Sequence, residues 1–298
     1  MNQRFIPSLL IPEIYFPVKN EKGFTAELVE RFAAEGFYKS FEIGDGFEKS
    51  ERKRILKEKE HHNLIVTQWL TFLMDSNGLD VSSIDRDLRK ESIKQIKEHV
   101  YLAAECGATN IAFVTGEDPG EALRLDAMEG LYESLCEISE EASKYDLKVL
   151  VEPLDRYAHK KRVVGPTDEA IQLLARVRNE YQNIGLAFDT AHAALNSEEI
   201  SEALELAMPY VEQIHFSNAV LAKESELYGD YHMSIGTPGF LDVHEIASIL
   251  NKADELRIKS EEGLRVAVEV RGTDLQDIHA NEKAVRQVLE QGLSLVVI

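Results

Sequence analysis

The chain has 298 residues, 44% of them hydrophobic, and carries 53 acidic against 33 basic side chains for a formal net charge of −20. That composition supplies a sizeable core and excludes a disordered chain, while its acidity disfavours nucleic acid, whose non-specific binding rests on Lys and Arg meeting phosphates. No run approaches the roughly 18 uninterrupted apolar residues of a membrane span, and the segment from Phe5 to Phe16, broken by Pro7, Pro12 and Glu13, lacks the cationic lead and cleavage site of a secretory signal.

In chain order, a weak apolar segment at Phe5–Leu10 precedes a helix-like stretch, Thr25–Glu35, that stops at Gly36. The apolar run Lys39–Ile43 follows, then a helical pattern over Glu48–His62 and a second run, Leu64–Trp69. Asp87–Cys106 reads as a helix closed by Gly107, with Asn110–Val114 as the strand behind it. Gly120–Tyr145 precedes Lys148–Glu152, and Pro166–Asn179 precedes Ile184–Asp189. Ser197–Met208 leads into Val211–Phe216, Asp242–Arg257 leads into Arg265–Glu269, and amphipathic Asp277–Gln291 closes the series.

Near-continuous apolar strands separated by helices predict a parallel sheet covered on both faces. Seven strands are plain, and Phe5–Leu10 makes an eighth, enough to close a (β/α)8 barrel over residues 1–298 as one domain. An open doubly wound sheet is the competitor, but the Gly-rich phosphate loop its dinucleotide-binding form needs after the first strand is missing. The expected class is α/β, a single TIM barrel. Cys106 and Cys136 fall in helix-like stretches outside any metal-ligand spacing and read as reduced thiols of a cytoplasmic protein.

Four polar residues close consecutive strands: Glu152, Asp189, His215 and Glu269. In a barrel the active site lies at the C-terminal strand ends. Alone, each would more often cap a helix or balance a charge; four together exceed what those duties require. Three hard carboxylates with one imidazole suit Mn²⁺, Mg²⁺, Co²⁺ or Zn²⁺, so one divalent ion is expected there. His192, three residues beyond Asp189, and Trp69, at the end of the third strand, are expected to meet substrate. Asp230 and His232, in the loop after the seventh strand, are expected to bind substrate hydroxyls or a second metal. Arg156 reads as structural, and Lys160-Lys161-Arg162 as a solvated basic loop.

At these residues the sequence resembles the xylose isomerase-like barrel superfamily, which groups sugar phosphate isomerases and epimerases with endonuclease IV. The resemblance rests on Val151-Glu-Pro-Leu-Asp-Arg156, Phe188-Asp-Thr-Ala-His192, Gln213-Ile-His-Phe-Ser217, the segment from His232 to Gly239, Val268-Glu269, and the turn from Ala103 to Ile111. It runs from the second strand onward. The superfamily's ketose 3-epimerases hold Mn²⁺ or Co²⁺ through the positions matched by Glu152, Asp189, His215 and Glu269. In them both Glu act as acid and base, and the position of His192 contacts substrate. Two of their substrate contacts are replaced here, a Glu by Ala158 and an Arg by Leu221. Relatives that isomerise hydroxypyruvate or dehydrate inosose keep the metal set with other pocket residues. Endonuclease IV needs further histidines at the ends of the third and fourth strands, where this chain has Gln68-Trp69 and Val114-Thr115-Gly116.

The expected function is therefore a divalent-metal-dependent isomerase or epimerase of a sugar, polyol or keto-acid, moving a proton between Glu152 and Glu269 through an enediolate. A metal-dependent lyase of the inosose dehydratase type is the alternative, and an endonuclease IV-like phosphodiesterase on abasic DNA the more remote one. The expected partner is a small carbohydrate, with no membrane; dimers and tetramers are common in the superfamily, so a homo-oligomer is compatible.

Overall fold

The computed structural model describes residues 4–256 and 263–297. Their strands are β1 (Phe5–Leu10), β2 (Ser40–Ile43), β3 (Ile65–Trp69), β4 (Asn110–Val114), β5 (Lys148–Glu152), β6 (Ile184–Asp189), β7 (Val211–Val220), β8 (Gly229–Met233) and β9 (Leu264–Glu269). The helices are α1 (Ile11–Ile14), α2 (Phe24–Glu35), α3 (Lys49–His62), α4 (Thr71–Asn77), α5 (Arg86–Glu105), α6 (Glu121–Ser143), α7 (Thr167–Arg178), α8 (Thr190–Leu195), α9 (Ile200–Ala207), α10 (Val243–Leu256) and α11 (Ala280–Ser294). Strands β1 to β7 pair in parallel in chain order, and β9 closes the ring between β7 and β1. The fold is a single (β/α)8 TIM barrel. Strand β8 is an addition outside the ring, antiparallel to the end of β7.

Strand periodicity of two divides the side chains into an inner and an outer set. Leu10, Trp69, Ala112, Leu150 and Ala187 form a small cluster of their own inside the barrel. Residues of opposite parity, such as Ile111, Phe113, Val149, Val151, Leu186 and Val266, belong to the large core beneath the helices. Both faces being covered, β4, β6 and β9 are buried at every position. Helix ends follow local chemistry. Asp85 caps α5 by accepting from the backbone N–H of Asp87 and Leu88 at 2.9 and 3.3 Å. Gly107, past the end of α5, holds φ at +72°, and a Cβ there would come within 2.7 Å of Leu56 Cδ1.

The structure departs from the sequence expectations in a few places. Strand β7 continues beyond His215 to Val220, and β8 pairs with that extension, Asp230 opposite Ala219 and Gly229 opposite Val220. Asp230 and His232 therefore sit on a strand rather than in a loop, because the protruding end of β7 needs hydrogen-bond partners. The helix expected over Ser197–Met208 starts later, at Ile200, where Glu199 accepts from Glu202 N at 2.8 Å; the residues before it form α8 and a break at Ser197, whose φ is +64°. Helices α1, α4 and α8 are too short for periodicity to reveal. The helix expected over 242–257 spans Val243–Leu256, and Arg257 lies outside the described residues. Among the described residues no helix is long and apolar enough to cross a membrane.

Candidate active site and metal centre

The barrel register fixes which residues meet at its C-terminal mouth. Asp189 is opposite His215 across β6 and β7, and Glu269 is opposite Ser217 across β9 and β7. Glu152 closes β5 on the same inward parity. The result gathers Glu152, Asp189, His215 and Glu269, 7%, 3%, 1% and 8% exposed. One ligand atom from each lies within 4.8 Å of all the others. The four strand-end residues singled out in the sequence are thus brought together.

His215 is the hub. Its Nδ1 lies 3.1 Å from Glu152 Oε1 and 3.0 Å from Glu269 Oε2, and its Nε2 lies 2.8 Å from Glu42 Oε2. Glu42, on β2, also accepts from Trp69 Nε1 at 2.7 Å, Gln213 Nε2 at 3.0 Å and Ser8 Oγ at 2.9 Å. Asp189 is held from two sides. Its Oδ1 accepts from His192 N at 3.0 Å, capping α8, and its Oδ2 accepts from Ser217 Oγ, which also reaches Glu269 Oε2 at 3.3 Å.

Helix α8 carries His192 into the site, only 4% exposed. Its Nδ1 lies 3.3 Å from Asp155 Oδ2 and its Nε2 3.7 Å from Asp230 Oδ2. Asp230 Oδ2 meets Lys160 Nζ at 3.2 Å and His232 Nε2 at 3.6 Å, and His232 Nδ1 lies 3.0 Å from Glu269 Oε1. His192 Nδ1, His232 Nδ1 and Asp230 Oδ2 are buried without an aligned hydrogen bond.

Burial and neighbours set the charges. Burial alone would push His215 down; Glu42, Glu152 and Glu269 outweigh it and hold the imidazole well above its ordinary range. Burial pushes Glu152 up to about 7, against the pull of His215. Glu269, equally buried, is drawn well below the usual carboxylate range by His215 and His232. Burial also raises Asp189. His192 rises to about 9, because Asp189, Asp155 and Asp230 overcome its burial. Two carboxylates facing one imidazole are thus pushed in opposite directions, the pattern by which acid and base roles are divided.

The donor set fits a divalent cation. Three buried carboxylates around one imidazole concentrate negative charge that is costly to bury without a cation. The cations at ion-pair distance from them are imidazoles, while Lys160 turns to Asp230 and Arg271 binds Glu13 at 2.7 and 3.0 Å. A second group able to converge on one ion is Glu13, His232 and Glu269. The second metal expected at Asp230 and His232 thus finds only His232 in that group, since Asp230 is turned towards Lys160 and His192.

The cavity here encloses about 120 Å³ and is walled by Trp69, Glu152, His192, His215, His232 and Glu269, with Phe72, Asp75, Lys160, Arg162 and Arg271 also lining it. Asp189 does not line it, being covered by Ser217 and the start of α8. Trp69 is 5% exposed, with its ring 5.4 Å from that of His215. It borders the cavity, but its indole N–H is spent on Glu42. Arg156 is buried and forks onto Glu169 at 2.6 and 2.7 Å, a structural pairing with Glu169 rather than with the adjacent Asp155. Glu42, Ser217, Asp155 and Glu13 were not singled out in the sequence. The one signal for Glu42 is a charged residue inside the short apolar strand Ser40-Phe-Glu-Ile43.

A model of the xylose isomerase-like TIM barrel family matches residues 29–290. The chain belongs to that family. Solved structures similar to this family member include a D-psicose 3-epimerase determined in the presence of D-fructose, with a TM-score of 0.70, 14% identity and 99% of both chains covered. An L-ribulose 3-epimerase aligns with a TM-score of 0.72 and 16% identity, over 99% of this chain and 95% of the other. An IolI protein with a bound zinc atom aligns with a TM-score of 0.69 and 14% identity, over 99% of this chain and 98% of the other. At such identities the likeness establishes the fold. No curated protein matches this barrel in sequence.

Proposed function

We propose that this barrel is a divalent-metal-dependent isomerase or epimerase of a small sugar, sugar-like polyol or keto-acid, with Glu152, Asp189, His215 and Glu269 as the metal ligands. The observation that carries the reading is the convergence of those four buried donors within 4.8 Å at the mouth of the barrel. When bound, a divalent ion supplies a Lewis acid that polarises a carbonyl and stabilises enediolate charge. Mn²⁺, Mg²⁺, Co²⁺ and Zn²⁺ all suit three carboxylates and one imidazole.

The protein's own groups supply the proton chemistry. Glu152 and Glu269 reach the cavity from β5 and β9, three positions apart around the ring. A carboxylate on one side takes the proton α to the carbonyl, and the carboxyl on the other returns one to the opposite face, which inverts that carbon. Return to the neighbouring carbon gives aldose–ketose isomerisation. His192, held beside Asp155 and Asp230, orients or protonates a substrate oxygen; His232 lines the same cavity, while Asp230 lies behind it, against Lys160, His192 and His232. The cavity, about 120 Å³ and open at the barrel mouth, suits the reacting part of a small sugar or keto-acid. Free Cys106 and Cys136 accord with a cytoplasmic setting.

The test is metal analysis of the purified protein, then a screen of ketoses, keto-acids and inososes for deuterium uptake from D₂O. Near-stoichiometric divalent metal and exchange at a carbon α to a carbonyl are expected. A metal-free protein, or a metal-loaded one that exchanges nothing, would argue against the reading. Product mass separates isomerisation from dehydration, which loses water.

A further inference from the structure

The inward face of β2 carries a carboxylate that none of the proposed proton transfers uses. Glu42 is 0% exposed, and every group hydrogen-bonded to it is a donor: Trp69 Nε1 and Gln213 Nε2 on Oε2, Ser8 Oγ on Oε1. The fourth neighbour of this carboxylate is His215 Nε2, 2.8 Å from Oε2. Burying an ionised carboxylate inside a barrel is unfavourable against an apolar residue of similar volume. Packing alone therefore does not account for it. Its surroundings fix it as an acceptor, so the His215 nitrogen facing it must bring a proton.

We infer that Glu42 is a positioning residue that fixes the tautomer and ring orientation of His215, so that Nδ1 presents its lone pair to a divalent ion. This rests on the metal reading above. A neutral imidazole has one N–H and one lone pair. With the N–H committed to Glu42, the lone pair is left at Nδ1, the nitrogen already 3.1 and 3.0 Å from the carboxylates of Glu152 and Glu269. The ring is also bordered by Trp69, whose N–H is bound to the same Glu42 oxygen, so one carboxylate aligns both rings. A carboxylate behind an imidazole ligand raises its basicity, and losing such a partner typically weakens metal binding about 10–100-fold.

The experiment compares Mn²⁺ binding by calorimetry in wild type, Glu42→Gln and Glu42→Ala. In Glu42→Gln the amide oxygen can still accept from Trp69, Gln213 and His215, and the amide N–H can donate to Ser8. Charge is lost and geometry retained, so Kd for Mn²⁺ should rise about tenfold. Glu42→Ala removes the acceptor as well and should approach a 100-fold loss. In ¹⁵N-imidazole spectra of the metal-free proteins, taken at a pH high enough to remove the second ring proton, neutral His215 should keep its proton on Nε2 in Glu42→Gln and lose that fixed position in Glu42→Ala. A purely structural role would lower the melting temperature and leave Kd unchanged. If Glu42→Ala does not fold, Glu42→Gln decides alone: wild-type affinity in a folded Glu42→Gln protein overturns the inference. Wild-type protein that takes up no divalent ion overturns the metal reading, and this inference with it.

Discussion

The carboxylates of Glu152 and Glu269 approach the same atom, Nδ1 of His215, at 3.1 and 3.0 Å. Two acceptors crowding one nitrogen require a positive centre between them. In the metal-free protein that centre is a proton on the imidazole; in the reading proposed here it is a divalent ion, with both carboxylates as ligands and as the proton-transfer pair.

Replacing either carboxylate by its amide should separate chemistry from folding. Glu152→Gln and Glu269→Gln keep shape and hydrogen-bonding capacity but lose a proton acceptor. Positioned acid–base groups are typically worth about 10²–10⁴-fold in rate, so each variant should lose at least that much solvent deuterium exchange while unfolding as cooperatively as wild type. Exchange surviving in either variant would remove that residue from the acid–base role.

Metal affinity should depend on pH with a definite sign. An imidazole binds a metal only when the ligating nitrogen is unprotonated. In the metal-free site, burial lowers the proton affinity of His215, but Glu42, Glu152 and Glu269 raise it further, so the ring stays protonated well above its ordinary range. Uptake of an ion at neutral pH must therefore release a proton, and affinity should rise with pH by about tenfold per unit for each proton released. Burial pushes Glu152 up to about 7. Below that value it is protonated too, so a second proton leaves and the dependence should steepen. Calorimetry in two buffers of different ionisation enthalpy counts the protons; an affinity independent of pH from 6 to 8 would contradict the assignment.

The barrel was legible because the eight ring strands are compact apolar runs and the longer helices between them are amphipathic, two of them with marked ends at Gly36 and Gly107. The candidate metal quartet was legible because Glu152, Asp189 and Glu269 end their strands, so sequence position coincides with the barrel mouth. Glu42 was not. It lies one residue short of the end of β2, and a single Glu in a short strand carries no mark that tells an inward carboxylate from a solvated one. Only the closed ring, which sets β2 across from β7, brings it to His215. The hairpin strand β8 was hidden for a related reason: its partner is the overhang of β7 beyond the barrel, and no local pattern announces an overhang.

Arg156 offers a test on the structural side. Its side chain is 1% exposed and its guanidinium forks onto Glu169, which is 36% exposed. Glu169→Ala strips a buried charge of its carboxylate and leaves it the carbonyl of Val163 and the side chain of Tyr157. An unsatisfied buried partner costs about 1–3 kcal/mol, more when charged, so urea unfolding should show a loss of at least that order. Mn²⁺ uptake should be unaltered, because Glu169 touches none of the four candidate ligands. A change in metal affinity without a change in stability would place Arg156 with the active site instead.

His192 is the residue whose removal should affect chemistry without affecting metal. Its backbone N–H donates to Asp189 Oδ1, and its ring stands between Asp155 and Asp230, facing the cavity. His192→Asn keeps the backbone bond that holds Asp189 and removes the imidazole that orients or protonates a substrate oxygen. Mn²⁺ affinity should remain at the wild-type value while the rate of α-proton exchange falls about 10²-fold or more. The two quantities are measurable on one preparation. If affinity and exchange fell together, the role of His192 would be to hold Asp189 rather than to meet substrate; if neither moved, the ring would be a packed core histidine.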